Sequence, residues 1–224
     1  MKVLIFDSGP LINLSMNGLL YICKQLKEES NIEMVITESV YEEVVKRPAN
    51  IPRFELGALR IKALIDEGII KFSKEIGIDT ETLNKETDRI LHIMNTVLTA
   101  KGEYIAVVSR GEVSCLALST LLNKKDVENI IAIDERTTRI FFEKINNLEK
   151  IMSEKLHCKV TADKNKVNEL DSFRFIRSSE IVFVAYKKGY IGINDKKALE
   201  ALLYATKYKG ASISWEEIEE LKGI

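Results

Sequence analysis

Apolar residues fall in two kinds of run along the chain. Short blocks at residues 2–6 ("KVLIF"), 33–37 ("EMVIT"), 68–74 ("GIIKFSK") and 129–134 ("NIIAID") are bounded by polar or charged positions. They are apolar without polar–apolar alternation, the pattern of strands buried on both faces, as in a parallel sheet. Between them run longer segments with helical spacing. Residues 10–28 open on Pro10, suited to a first helical position, and are interrupted near Gly18. Residues 38–47 stop before Pro48, 57–66 form a short helix, and Leu83, Ile90, Leu91, Met94, Val97 and Leu98 space a helix over 81–100. Residues 111–122 and 136–149 complete the series, with "YIAVVS" at 104–109 as a strand or the close of the preceding unit.

Beyond residue 150 the pattern changes. Residues 172–190 and 195–210 read as helices closed by Gly189 and Gly210, and a capping box from Ser214 to Glu217 starts another. Residues 157–170 carry no clear period. The expected organisation is therefore an α/β domain over 1–150 and a helical extension over 151–224 packed on it.

Composition narrows this little further. With 33 Lys and Arg against 34 Asp and Glu, the net charge is −1, so the chain as a whole does not advertise a polyanion partner, although local patches can. No apolar run approaches the roughly 18–20 residues of a membrane-spanning helix, which argues against a membrane role. The opening "MKVLIFD" has one Lys followed by an acid and lacks the pattern of a signal peptide. The three scattered cysteines, Cys23, Cys115 and Cys158, suit a reducing cytoplasm better than a disulfide framework.

The informative positions are acids at the ends of apolar runs. Asp7 ends the first strand and Asp134 ends the "IIAI" strand, so both would face one edge of a parallel sheet, where ligands gather. In "TESVYEEVVKR", Glu43 lies about 60° from Val40 on the helical wheel, bordering the apolar stripe, while Glu38 and Glu42 face solvent. In "GEVSCLALS", Glu112 lies about 40° from Leu116. Each acid also fits a plainer role: Asp7 and Asp134 as helix caps, Glu43 as a surface acid, Glu112 as a partner of its helix dipole. Four carboxylates brought together in apolar surroundings call for cations, and an all-oxygen set suits Mg²⁺ or Mn²⁺.

These segments resemble the PIN domain family of metal-dependent nucleases. "VLIFDSGPLINL" is similar to the family's opening strand, Asp, Ser/Thr and apolar helix. "VITESVYEEVV" resembles its second acid segment at Glu43, and "GEVSCLALS" its third at Glu112. "IIAIDERTTR" resembles its fourth, where Asp134 and Glu135 are both available. The resemblance covers residues 1 to about 145. It implies a three-layer α/β/α fold, Mg²⁺ or Mn²⁺ at the clustered acids, and hydrolysis of RNA phosphodiesters, most simply as an endoribonuclease, with Ser8 supporting the first Asp. Arg136, Arg174 and Arg177 are the candidate phosphate contacts. The same resemblance admits a PIN-fold RNA-binding or scaffold protein without catalysis. It also admits a toxin held by an antitoxin, or a homo-oligomer.

Two other strand-then-Asp architectures do not fit. A phosphatase of the haloacid dehalogenase type needs a second Asp two residues on, where this chain has Gly9. A phospho-acceptor receiver needs an Asp on a mid-chain strand and a later strand Lys. His92 and His157 have no metal-ligand spacing, and Tyr208 and Trp215 are expected to pack in the core.

Overall fold

A computed structural model describes the whole chain, Met1–Ile224. In chain order it runs β1 (Lys2–Phe6), α1 (Ser8–Met16), α2 (Tyr21–Ser30), β2 (Ile32–Ile36) and α3 (Glu38–Tyr41). A π-type turn (Glu42–Lys46) and a 3-10 turn (Pro48–Asn50) lead into α4 (Pro52–Asp66), β3 (Ile70–Phe72) and α5 (Thr80–Asn95). Then follow β4 (Leu98–Ala100), β5 (Glu103–Tyr104), α6 (Arg110–Asn123), β6 (Glu128–Ala132), α7 (Arg136–Glu143) and α8 (Ile145–Leu156). The chain closes with β7 (Val160–Ala162), α9 (Lys164–Val167), β8 (Phe175–Ile176), α10 (Ser178–Lys187), α11 (Ala198–Tyr208) and α12 (Trp215–Gly223).

The central sheet has five strands in the order β3-β2-β1-β6-β8, all parallel. Its strands are the apolar blocks of the sequence, and Val3, Ile5, Phe6, Met34, Val35, Ile36 and Ile131 are almost wholly buried. Helix α6 lies against β1 and β6 with α5 packed on it. Helices α1, α2 and α10 pack together as the other outer layer, α2 against β2. The fold is thus three-layered α/β/α with a helical C-terminal part. No helix is long and apolar enough to cross a membrane.

The chain winds outward from β1 to β2 and β3, then returns to place β6 on the other side of β1. That reversal opens a crevice at the carboxyl ends of β1 and β6. The register pairs Phe6 with Ala132, and the Asp7 amide donates to the Ala132 carbonyl at 2.9 Å, so Asp7 and Asp134 leave the sheet side by side.

The region after residue 150 departs from expectation in two ways. It supplies strands: β7 joins β4 and β5 in a small antiparallel sheet, and β8 is the edge strand of the main sheet. Phe175 and Ile176 lie in that strand, so the helix expected over 172–190 begins only at Ser178. The extension also has a small core of its own, Leu199, Leu203, Ala211, Ile213 and Ile218. Tyr208 and Trp215 are not in a core: they are 72% and 49% exposed and form a mutual aromatic cluster with Tyr204.

Candidate functional site

Asp7 caps α1, its Oδ2 accepting weakly from the Gly9 amide at 3.4 Å. The residue is buried, and its other carboxylate oxygen, Oδ1, is buried with no hydrogen-bond partner. Such an oxygen is costly unless a proton or a cation satisfies it. Burial is the main cause that pushes the Asp7 carboxyl up from 3.8 to about 7; the negative charge of Glu112 adds to it, the Ser8 and Gly9 amides oppose it, and Glu43 contributes a further push.

Glu43 reaches this crevice from the π-type turn, in which the Arg47 amide donates to the Glu42 carbonyl at 3.0 Å. Turns of this kind recur at functional sites because they re-aim a helix face. The Glu43 carboxylate rests on Gly111: a β-carbon added there would lie 2.6 Å from Oε1 and 2.9 Å from Oε2. Two hydroxyls lock this approach. Thr37 Oγ1, at the N-cap of α3, donates to Ser114 Oγ of α6 at 2.6 Å, and Ser114 Oγ donates to the Gly111 carbonyl at 2.6 Å. Glu42 turns outward to pair with Lys46, and Glu38 accepts from Thr80 Oγ1 at 3.2 Å, so Glu43 alone of the three faces the crevice.

Glu112 closes the capping box of α6, its Oε2 accepting from the Ser109 amide at 2.6 Å while its own amide donates to Ser109 Oγ. It is buried, and burial raises its carboxyl; the Ser109 amide pulls it back and the charge of Glu135 pushes it up again. The hydroxyl of Thr138 faces this carboxylate without closing a well-formed hydrogen bond. Beneath the acids, the Cys115 thiol donates to the Phe6 carbonyl at 3.6 Å. Burial and then the charges of Asp7, Glu43 and Glu112 hold its pKa well above the ordinary range, so it stays a thiol.

Asp134 is near in chain and in space but occupied otherwise. Its Oδ1 accepts from the Ser178 amide at 2.8 Å, and its Oδ2 accepts from Ser178 Oγ at 2.7 Å and from Asn13 Nδ2 at 3.3 Å. Asn13 Nδ2 also donates to the Thr206 carbonyl at 2.8 Å. Asp134 therefore ties α1, α10 and α11 together. Burial raises its carboxyl and these donors, Ser178 first, oppose the rise. Its neighbour Glu135 caps α7 through the Arg136 and Thr137 amides and is exposed. Pairwise, the charges of Glu112 and Glu43 reach Asp7 and that of Glu135 reaches Glu112, while Asp134 is turned to its own partners as a brace. Ser8 is the first residue of α1, and its backbone N–H opposes the rise of the Asp7 carboxyl. No three of the Asp, Glu, His or Cys side chains lie close enough together to enclose a metal ion.

The candidate phosphate contacts divide. Arg136 is exposed and is the first residue of α7, directly after Glu135. Arg174 lies at the opposite end of the sheet, pairing with Glu128 at the start of β6 and donating to the Asn129 carbonyl at 3.0 Å. Arg177 is buried in an ion-pair network, 2.6 Å from Glu180 and 2.8 Å from Glu217, and donates to the Ser212 carbonyl. Neither is free at the crevice, and with a strand at 175–176, Arg174 and Arg177 do not share a helix face.

Three contributors escape a reading of the acids alone. Asn13 is a fully buried amide in the apolar run "PLINLS", and that placement is the signal that it has fixed partners. Gly111 shows its role only when Glu43 is seen against it. Ser178 gives no sequence signal, because its partner is 44 residues away. Comparisons of the chain with protein-family models, with curated proteins and with solved structures found no match.

Proposed function

We propose that this chain is a metal-dependent nuclease that hydrolyses RNA, with Asp7, Glu43 and Glu112 as the residues that hold Mg²⁺ or Mn²⁺ and Glu135 as the fourth acid. The observation that carries the reading is Asp7 Oδ1, a buried carboxylate oxygen without a partner, placed among the charges of Glu112 and Glu43. The donor set also suits a hard cation, since every candidate ligand is a carboxylate. The cradle at Gly111 points the same way: the absence of a side chain there leaves the space that the Glu43 carboxylate fills. RNA as substrate comes from the resemblance of the four ordered acid segments to the PIN family.

When bound, a divalent ion supplies an activated water and neutralises phosphate charge. The chain's own residues do the rest. Burial and the charge of Glu112 push the Asp7 carboxyl up to about 7, so a cation held there would compete with its proton. Ser109 orients Glu112, and the Thr37–Ser114–Gly111 chain of hydrogen bonds fixes the helix from which Glu43 is presented. Asp134 holds the crevice wall in place through Ser178 and Asn13. Arg136, exposed directly after Glu135, is the cation available to a phosphate.

The test pairs cleavage with binding. Labelled RNAs are incubated with Mn²⁺ or with chelator, and Mn²⁺ is titrated by calorimetry in parallel. Asp7→Asn, Glu43→Gln and Glu112→Gln should each reduce cleavage by about 100-fold or more and weaken Mn²⁺ binding, while Glu42→Gln leaves both nearly unchanged. Cleavage that survives chelator, or that is lost in Glu42→Gln and kept in Glu43→Gln, would refute the assignment. A second reading, a PIN-fold binding or scaffold protein without catalysis, is favoured by the failure of any three side chains to enclose an ion. It expects RNA binding with neither Mn²⁺ uptake nor cleavage.

A further inference from the structure

A cleft of about 630 Å³ runs between α1, the turns at 42–50 and α4, with Glu43 in its wall. Its apolar surface comes from Ile12, Met16, Ile51, Phe54 and Leu56, which are 38–61% exposed. Large aliphatic side chains gathered in one groove and left open to water are a cost to the isolated fold, and such patches mark interaction sites. Three cations share the groove: Arg47, Arg53 and Arg60, all exposed. None of them takes part in an ion pair, although the chain forms sixteen of these elsewhere. No lysine lines the groove. Arginine, methionine and phenylalanine without lysine is the composition of a protein–protein contact surface.

The groove is built, not incidental. Arg53, Leu56, Gly57 and Arg60 repeat at the three-, four- and seven-residue spacing that puts them on one face of α4. Gly57 lets that face approach α1: Ser15 Oγ donates to its carbonyl at 3.3 Å, and a β-carbon at Gly57 would press on the same oxygen. Arg53 and Arg60 stand two turns apart, about 10 Å along the helix.

We propose that this groove is the docking site for a polypeptide segment of a partner protein that carries apolar anchors flanked by Asp or Glu. Charge complementarity selects that occupant: the lining holds three guanidinium groups against the single carboxylate of Glu43. Two copies of this chain meeting across a two-fold axis would set the arginine-rich surface against itself. A single-stranded nucleic acid would meet the cations, but aliphatic side chains offer bases no flat face. The one aromatic ring there, Phe54, carries the Arg53 guanidinium over one face at 4.3 Å. The inference rests on the groove and stands or falls separately from the nuclease reading.

The experiment selects random displayed 16-residue peptides on the full chain and measures recovered peptides by fluorescence anisotropy. Selected sequences should combine Leu, Ile or Phe with at least two acids. Their affinity should fall about tenfold or more for the double variant Arg53→Glu, Arg60→Glu and for Leu56→Asp, and stay unchanged for Arg174→Ala at the far end of the sheet. Replacing the peptide's acids with Lys should abolish binding to the wild type and restore it to the double variant, which also shows that this variant is folded. Basic or charge-indifferent peptides, no recovered binder, or binding untouched by the groove variants would overturn the proposal. So would a single-stranded RNA 12-mer that displaces the peptide and binds more tightly, or a dimer in sedimentation that Leu56→Asp dissociates.

Discussion

Gly111 sits so close to Glu43 that any larger residue there would have to move the carboxylate. The backbone has nothing to lose from such a change, because Gly111 lies in the first turn of α6 and Ala is the better helix former. Gly111→Ala should therefore melt at the same temperature as the wild type or slightly higher, while cleavage falls about tenfold or more and Mn²⁺ stabilises it less. A variant that keeps full cleavage would show that the Glu43 carboxylate is not needed where it rests. Asp7 gives a second test at this scale. Its carboxyl titrates near 3.8 in the unfolded chain and near 7 in the fold, raised by burial and then by Glu112. Between those values the unfolded chain has lost a proton that the folded chain keeps, so this residue makes stability fall as pH rises across the window and level off above it. In chelator, melting temperatures from pH 4 to 8 should decline more steeply for the wild type than for Asp7→Asn, which keeps a capping side chain but cannot ionise. Equal slopes would mean that Asp7 is not held protonated.

At the scale of elements, the two acids that end β6 divide the work. Asp134 accepts three hydrogen bonds from Ser178 and Asn13 and so joins α1 and α10 to the strand end; Glu135 only caps α7. Asp134→Ala should lower stability by about 3 kcal/mol in urea unfolding, since buried donors lose a charged acceptor. Glu135→Ala should cost about 1 kcal/mol, the usual cost of a lost cap, yet reduce cleavage further than its stability loss explains. The opposite pattern would return Asp134 to the ligand set. Sequence patterning reaches this far and then stops for physical reasons. The four apolar blocks became β1, β2, β3 and β6 because charged residues bound them and nothing else can bury them. The acid positions followed, since strand ends fix Asp7 and Asp134. Strands β4, β5, β7 and β8 are two or three residues long and, unlike the equally short β3, stand in none of those apolar blocks; β8 is held to β6 by the Ile131 and Ile133 amides, which donate to the Arg174 and Ile176 carbonyls. The break between α7 and α8 falls at Lys144, with φ −152°, where no Gly or Pro announces it. The wheel gave the right face to Glu43 although it counts 100° per residue and the chain there makes a π-type turn.

At the scale of the whole molecule, the main question is whether residues 1–150 are a domain that residues 151–224 merely decorate. The hydrogen bonds say otherwise. The Ile131 and Ile133 amides donate at 2.9 Å to the Arg174 and Ile176 carbonyls, so without β8 the strand that carries Asp134 would become an open edge. Ile181, Val182 and Ala185 of α10 belong to the same continuous core as Val3, Leu4 and Ile22. Removing them would uncover the face that α1 and α2 share with α10. Asp134 and Asn13 would lose Ser178 and the Thr206 carbonyl together, leaving buried polar groups without partners next to the crevice. These losses fall together on one sheet edge and one side of the core, against a margin of only about 5–15 kcal/mol that keeps a typical domain folded. A chain ending at residue 150 should therefore show no cooperative thermal transition by circular dichroism and should aggregate, whatever its metal content, whereas the full chain melts cooperatively. If the shortened chain instead melts cooperatively within a few degrees of the full one, the extension is an appendage and the crevice is organised by residues 1–150 alone. The former outcome makes the C-terminal helices part of the site's scaffold, holding the end of β6 in the position from which Glu135 faces Glu112.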